Sequence, residues 1–291
     1  MTAGSCKICF SSHLEEIGSK SGVLRGDRFS LLRCAACAYA FVANPLLDYS
    51  AIYSEDYYRG AGADHSIDYL FELSDSKLTI RQYEWRGIVK VVESMVPLSQ
   101  STSWLDFGCG NGGLVRYLRE EKKCQAVGYE HGWIRSRAVE SGIPFLDNEI
   151  DQNRGSFDIV SAIEVLEHVV DPLAELRLIR SLLKPGGLFF YTTGNAAPHR
   201  NNLLNWHYFV PDIHISLYEP GTLRTALRAA GFRAEDRGFV NGWEDIIRFK
   251  VLKNLRLRRT AVWEKCLPWY PLSRLVDHRL QITAHPVGWT G

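Results

Sequence analysis

The feature that most narrows what this chain can fold into is a run of four glycines in six residues, Gly108-Cys109-Gly110-Asn111-Gly112-Gly113. It sits between a short apolar segment, Trp104 to Phe107, and a helical one, Gly113 to Lys123. Glycine reaches φ > 0 without steric cost, so a loop of this kind turns tightly and lets a ligand approach the backbone. The helix that follows offers unpaired N–H groups at its start. A tight strand-to-helix turn with no ligand is the plainer alternative.

The residues downstream repeat the strand–helix alternation. Gln125 to Tyr129 reads as a second strand ending at Glu130, with a short strand near Pro144 to Leu146. Phe157 to Ile163 has the continuous apolar character of a fully buried strand. Asp171 with Pro172 starts a helix that stops at KPGG, and Leu188 to Thr193 is another buried strand. A helix over Gly221 to Ala230 ends at Gly231. Upstream, a helix is expected from about Ser76 to Val96. Such alternation predicts an α/β fold with a parallel sheet and helices on both faces. The expected organisation is a module over 1–45, an aromatic and helical cap over 46–97, the α/β domain over 98–244 and a basic extension over 245–291.

The glycine spacing also satisfies the GxGxxG of nicotinamide dinucleotide enzymes. Asp106 argues against that reading, because a carboxylate two residues before the first glycine is unwelcome beside a pyrophosphate. It suits a cofactor with a sulfonium and an amino group, to which Coulomb attraction is favourable. Glu130 is placed to take two ribose hydroxyls in either case.

LDFGCGNG resembles the first motif of class I S-adenosylmethionine-dependent methyltransferases. FDIVSAIEVLEHVVDP resembles their fourth-strand motif, and LLKPGGLFFYTT the helix and strand after it. The resemblance runs from about Ser103 to Val240. It implies a Rossmann-like, seven-stranded sheet with one antiparallel strand and S-adenosyl-L-methionine at the C-terminal strand ends. It puts Asp106, Gly108, Cys109 and Gly110 at the methionine part and Glu130 at the ribose. Asp147 or Asn148 then lies near the adenine, and the backbone of Ala162 and Ile163 borders the methionine amino group.

Seven cysteines in a chain with no visible secretory signal are poor candidates for disulfides, and cytoplasmic residence is the default expectation. Cys6-x-x-Cys9 and Cys34-x-x-Cys37 each offer two thiolates from one tight turn, and two such turns complete a structural, tetrahedral Zn2+ site. The metal then supplies the folding energy of the 1–45 module. CxxC, CxxC and DYSAIYSEDYYRG together resemble the zinc-binding leader of certain bacterial sugar and polysaccharide-pathway methyltransferases. That resemblance implies a sugar acceptor, nucleotide-linked or part of a glycan. RNA, protein or another metabolite is the alternative acceptor class, and a non-catalytic cofactor-binding scaffold the alternative to an enzyme.

Deprotonating an acceptor needs a base, for which His214 is the first candidate and His168 the second. His214 lies in NWHYFVPDIHISLYEP, where the resembling sugar C-methyltransferases carry a Glu-His pair. Here Ile213 precedes it, which leaves O- or N-methylation open. Tyr57 and Tyr58 are candidate covers of the cofactor. From Asp245 to Leu280 nine Lys/Arg face three Asp/Glu, a charge of +6 that leaves −5 for the rest of the chain. The segment is a candidate for phosphate groups or an anionic membrane surface, with nucleic acid ranked lowest.

Overall fold

A computed structural model describes residues 4–62, 68–146, 150–236, 241–280 and 286–290. The chain divides into two compact units, one of Met1–Ile52, Ile150–Asp236 and Thr283–Gly291, the other of Tyr53–Glu149 and Arg237–Ile282. Ten strands are described, in chain order β1 (Leu14–Ser21), β2 (Arg28–Cys34), β3 (Ala40–Val42), β4 (Ser103–Phe107), β5 (Gln125–Tyr129), β6 (Phe157–Ile163), β7 (Leu183–Thr192), β8 (Ser216–Leu217), β9 (Phe232–Asp236) and β10 (Pro286–Thr290).

In the first unit β6 and β7 pair in parallel, Val160 opposite Phe189 and Ile163 opposite Thr192. Residues 159–162 and 187–192 of these strands are buried, as their mostly apolar sequences require. The helix Pro172–Leu182 packs beneath them. Its proline occupies the first turn, and the Asp171 carboxylate accepts a bond from the Ala174 N–H. KPGG falls inside β7, which already begins at Leu183, and a register shift at Phe157/Ile159 absorbs the turn-like residues. β10 runs antiparallel to both β7 and β9, so residues 286–290 of the basic extension are sheet.

The same unit holds a second sheet. β1 and β2 form a hairpin, β3 pairs antiparallel with β2, and β8 pairs antiparallel with β3. Residues 1–45 therefore share a sheet with the segment around His214. Phe29, Leu31, Ala40 and Val42 pack there with Trp206, Phe209, Ile215 and Leu217.

In the second unit β4 and β5 are parallel and in register, Asp106 opposite Gly128. The expected strand near Pro144–Leu146 is a single parallel bridge between Gly128 and Phe145. The helix Gly113–Glu121 follows β4, and the long helix Arg81–Glu93 packs against it and against Trp243–Asn254. No helix among the described residues is long and apolar enough to cross a membrane.

Candidate active site

The glycine loop is built as its sequence demands. Gly108, Gly110 and Gly112 have φ of 69°, 54° and 71°, the left-handed region that other residues enter at a cost. The Gly108 and Cys109 N–H groups donate to the Tyr129 carbonyl, which fastens the loop to the end of β5. Asp106 is buried at 4% exposure one residue before the end of β4. The Glu130 carboxylate accepts N–H bonds from Gly110 at 2.9 Å, His131 at 2.9 Å and Gly132 at 2.7 Å. Those three donors fix its orientation. Burial, followed by the charges of Asp106 and Glu130, pushes the Cys109 thiol well up, so it stays protonated.

Aromatic and ionic supports surround the loop, and of these the sequence pointed only to Tyr57 and Tyr58. A Cβ on Gly110 would lie 3.0 Å from the Tyr69 ring, and one on Gly132 would collide with the Tyr58 phenol. Tyr57 and Tyr69 stack, and Tyr58 meets both edge-on, with centroids 5.1–6.4 Å apart. Asn111 donates to the Tyr69 carbonyl and to Glu72, while its own side-chain oxygen accepts the Gly113 N–H. Glu72 and Glu84 are both buried and share Arg81. Glu84 falls within the helix expected from Ser76 to Val96, whereas nothing in the sequence marks Glu72. Two acids, a φ > 0 backbone and a tyrosine wall fit a cofactor that carries a cationic centre and a diol.

If Glu130 takes that diol, Glu130→Ala is expected to weaken S-adenosylmethionine binding by about 1.5–3 kcal/mol, the scale of hydrogen bonds to a charged group. Titration calorimetry with the purified variant measures it, and unchanged affinity would remove the ribose assignment.

Ala162 and Ile163 close β6 in the first unit. Asp147 and Asn148 lie outside the described residues.

Immediately after β6 the first unit gathers two carboxylates, two histidines and a tyrosine. Glu164 takes a positive φ of 54°. Glu167 is 1% exposed, and its carboxylate accepts the Thr193 hydroxyl at 2.8 Å and the Tyr208 hydroxyl. The Tyr208 oxygen is also 3.0 Å from Glu164 and accepts the Gly194 N–H. Burial first, then the Glu164 charge, pushes the Glu167 carboxyl up to about 8. Near neutral pH the Glu167 carboxyl therefore favours its protonated form. Tyr208 is likewise held well above its usual range, by burial and both glutamates.

His168 and His214, from segments far apart in the chain, meet here with ring centroids 5.0 Å apart. His168 Nδ1 donates to the Ile213 carbonyl at 2.9 Å, and His214 Nδ1 to the Tyr208 carbonyl. When neutral, each ring therefore carries its lone pair on Nε2. His214 stacks on Tyr208 at 4.3 Å. Ligating atoms of Glu167, His168 and His214 lie within 4.8 Å of one another, a set able to pass a proton or hold a cation. His207 is exposed. Sequence reasoning found the histidines but neither Glu164, Glu167 nor the role of Tyr208.

Glu167 gives stability a pH dependence of definite sign. Its folded pKa lies above its ordinary value of 4.5, so its contribution is full below that value and is lost as pH rises through about 8. Glu167→Gln, which cannot ionise, is expected to flatten the fall of melting temperature between about pH 5 and pH 8. Parallel wild-type and variant curves would show that Glu167 does not titrate there.

The four paired cysteines also come together. Cys6, Cys9, Cys34 and Cys37 form one cluster, with Sγ atoms 3.5 Å apart in the Cys6/Cys37 and Cys9/Cys34 pairs. Zn–S bonds of about 2.3 Å give a tetrahedron with edges of about 3.8 Å, so the spacing fits. The two turns are built alike. Phe10 and Ala38, each following the second cysteine of its pair, adopt φ of 59° and 61° and return an N–H to Cys6 and Cys34. The hydrogen bond between the Cys6 and Cys37 thiols draws the Cys6 pKa down to about 5 and pushes that of Cys37 up.

A family model described as a methyltransferase domain matches residues 78–236. Over 102 residues the chain is 35% identical to the ubiquinone biosynthesis O-methyltransferase of Vibrio parahaemolyticus serotype O3:K6, covering 31% of this chain and 43% of the relative. The enzyme of the same description from Yersinia pestis strain Pestoides F is 34% identical over 102 residues, covering 31% and 42%. The chain thus spans about two-fifths of the length of these relatives. Among solved structures it is similar to a chain of the complex between the Haloferax volcanii Trm112 methyltransferase activator and a methyltransferase. That match has a TM-score of 0.51 and 19% identity over 77% of this chain and 97% of the other, which is a likeness of fold. With the family model spanning more than half of its residues, from before the glycine loop to the end of β9, the chain belongs to the methyltransferase domain family.

Proposed function

We propose that the chain is an S-adenosylmethionine-dependent methyltransferase that O-methylates a small molecule bearing a hydroxyl group, with a sugar hydroxyl as the first acceptor class to test. The observation that carries the reading is the cluster of His214, His168, Tyr208 and the Glu164/Glu167 pair. It places an imidazole anchored through Nδ1 beside two carboxylates that meet at the Tyr208 hydroxyl.

S-adenosylmethionine, when bound, supplies a methyl group activated by its sulfonium. Asp106, Gly108, Cys109, Gly110 and Glu130 are the residues assigned to hold it. His214 Nε2 takes the acceptor's hydroxyl proton and becomes an imidazolium. The Tyr208 carbonyl holds the opposite ring nitrogen, so the ring cannot turn away as it charges. A carboxylate charge on Glu167, whose oxygen lies within 4.8 Å of a His214 ring nitrogen, favours the imidazolium. The cysteine cluster is assigned to one structural zinc.

A panel of hydroxylated acceptors, nucleotide sugars and phenols among them, tests the reading through S-adenosylhomocysteine release. Product with any of them is the expected result. Tight S-adenosylmethionine binding with no turnover on the whole panel would favour a scaffold role instead.

A further inference from the structure

The segment from Lys253 to Leu275 takes no part in the chemistry above, yet its surface is unlike the rest of the chain. Twelve large hydrophobic side chains stand exposed among the described residues, and six of them fall within these 23 positions: Leu255, Val262, Trp263, Leu267, Tyr270 and Leu275. Val262 reaches 81% exposure and Leu275 64%. The other six are scattered between Phe10 and Val139, where single exposed apolar groups are ordinary.

The charges in the segment are just as one-sided. It contains Lys253, Arg256, Arg258, Arg259, Lys265 and Arg274 against one acid, Glu264. Glu264 is fully buried, where it accepts the Tyr83 hydroxyl and pairs with Arg248. It is therefore withdrawn from the surface, while Arg256, Arg258, Arg259, Lys265 and Arg274 are exposed.

The display is held in place. The Trp269 indole N–H donates to the Glu264 carbonyl at 2.7 Å, and Trp269 packs against the buried cluster of Ile80, Tyr83, Phe249 and Leu252. Thr79 bridges to Arg259, and the Thr260 N–H donates to the Leu78 carbonyl. The backbone is thus tied to the fold while the aliphatic and aromatic side chains point out between cations.

We propose that residues 253–275 are a peripheral docking surface for an anionic lipid bilayer. The occupant follows from the chemistry of the side chains. Lipid phosphates match the exposed guanidinium and ammonium groups. The Trp263 and Tyr270 rings suit the headgroup level, where one end of the ring is apolar and the other wet. Val262, Leu267 and Leu275 gain by entering the acyl boundary. A polynucleotide would use the cations but would leave those aliphatic groups in water, so it is the poorer match.

Co-sedimentation of the full chain with vesicles tests this directly. Vesicles of equal parts phosphatidylglycerol and phosphatidylcholine are expected to bind the protein at least about tenfold more strongly than pure phosphatidylcholine, and high salt to weaken the binding. The double variant Val262→Asp/Trp263→Ala is expected to lose about tenfold or more of that binding, with an unchanged melting temperature because both side chains are exposed. Lys265→Glu is expected to weaken binding to anionic vesicles and leave the weak binding to phosphatidylcholine as it was. Absence of binding to anionic vesicles, or equal binding by wild type and double variant, would overturn the proposal. So would a salt-sensitive complex with polynucleotide in place of vesicles. None of these outcomes depends on methyl transfer.

Discussion

His214→Ala is expected to lower turnover by roughly a hundredfold or more while S-adenosylmethionine affinity stays nearly constant. The size follows from the role. General base catalysis contributes about two to four orders of magnitude, and the unperturbed imidazole pKa of about 6.5 lets the ring accept a proton near neutrality. The loss should appear in kcat, because the proton moves only in the transition state. His214→Asn separates proton transfer from packing, since its amide can still donate to the Tyr208 carbonyl but has no basic nitrogen. It should be as slow as the alanine variant. His207→Ala, at an exposed position, should lose little, and His168→Ala an intermediate amount. Near-normal kcat in both His214 variants would mean that the base lies elsewhere.

If the cysteine cluster holds the proposed zinc, removing the metal is expected to have a comparably large effect on turnover, for a different reason. The 1–45 module alone was expected to depend on the metal, but the structure ties it to the segment carrying His214. β3 pairs with β8, and the Val42 N–H donates to the Ile215 carbonyl at 2.9 Å. Tyr39 meets the Ser216 hydroxyl at 2.6 Å, and Thr222 donates to the Cys37 carbonyl. The Asp212 carboxylate, two residues before His214, accepts the Val23 and Leu24 N–H groups at the tip of the β1–β2 hairpin. Lys20 donates to the Phe209 carbonyl at 2.7 Å.

Structural zinc in small domains contributes on the order of 10 kcal/mol to folding, so its loss releases the hairpin and everything that leans on it. Cys34→Ser protein should therefore contain little zinc and exchange amide hydrogens faster at both 14–42 and 206–219. It should turn over at least about a hundredfold more slowly, yet still bind S-adenosylmethionine, because Asp106, Gly108, Cys109, Gly110 and Glu130 belong to the other unit. Zinc-free protein with full activity and full protection of 206–219 would refute this coupling.

What the sequence revealed, and what it hid, divides along the range of the interactions. Gly108, Gly110 and Gly112 were legible because a φ > 0 backbone restricts residue type at the position itself. The paired cysteines were legible because each turn presents both thiols locally. The β6 strand and the Asp171–Pro172 helix start were legible for the same local reason. The acceptor-side cluster was only half visible. His168 and His214 drew notice as titratable residues, but Glu167 and Tyr208 are 41 residues apart and no periodicity links them. The pairing of β3 with β8 spans about 175 residues and leaves no mark on either segment. Pro286–Thr290 contains a proline and a glycine, which read as a loop, and only its antiparallel partners β7 and β9 make it a strand. Tyr69, Glu72 and Asn111 support the glycine loop by tertiary contact, and the loop sequence shows none of it.

The central claim is that the glycine loop with Asp106 and Glu130 serves a sulfonium cofactor. Titration calorimetry of the purified chain with S-adenosylmethionine, S-adenosylhomocysteine and NADH tests it most directly. The account predicts saturable binding of the first two at one site per chain, weakened in Glu130→Ala, and no measurable heat with NADH. Saturable NADH binding with none of S-adenosylmethionine would contradict it.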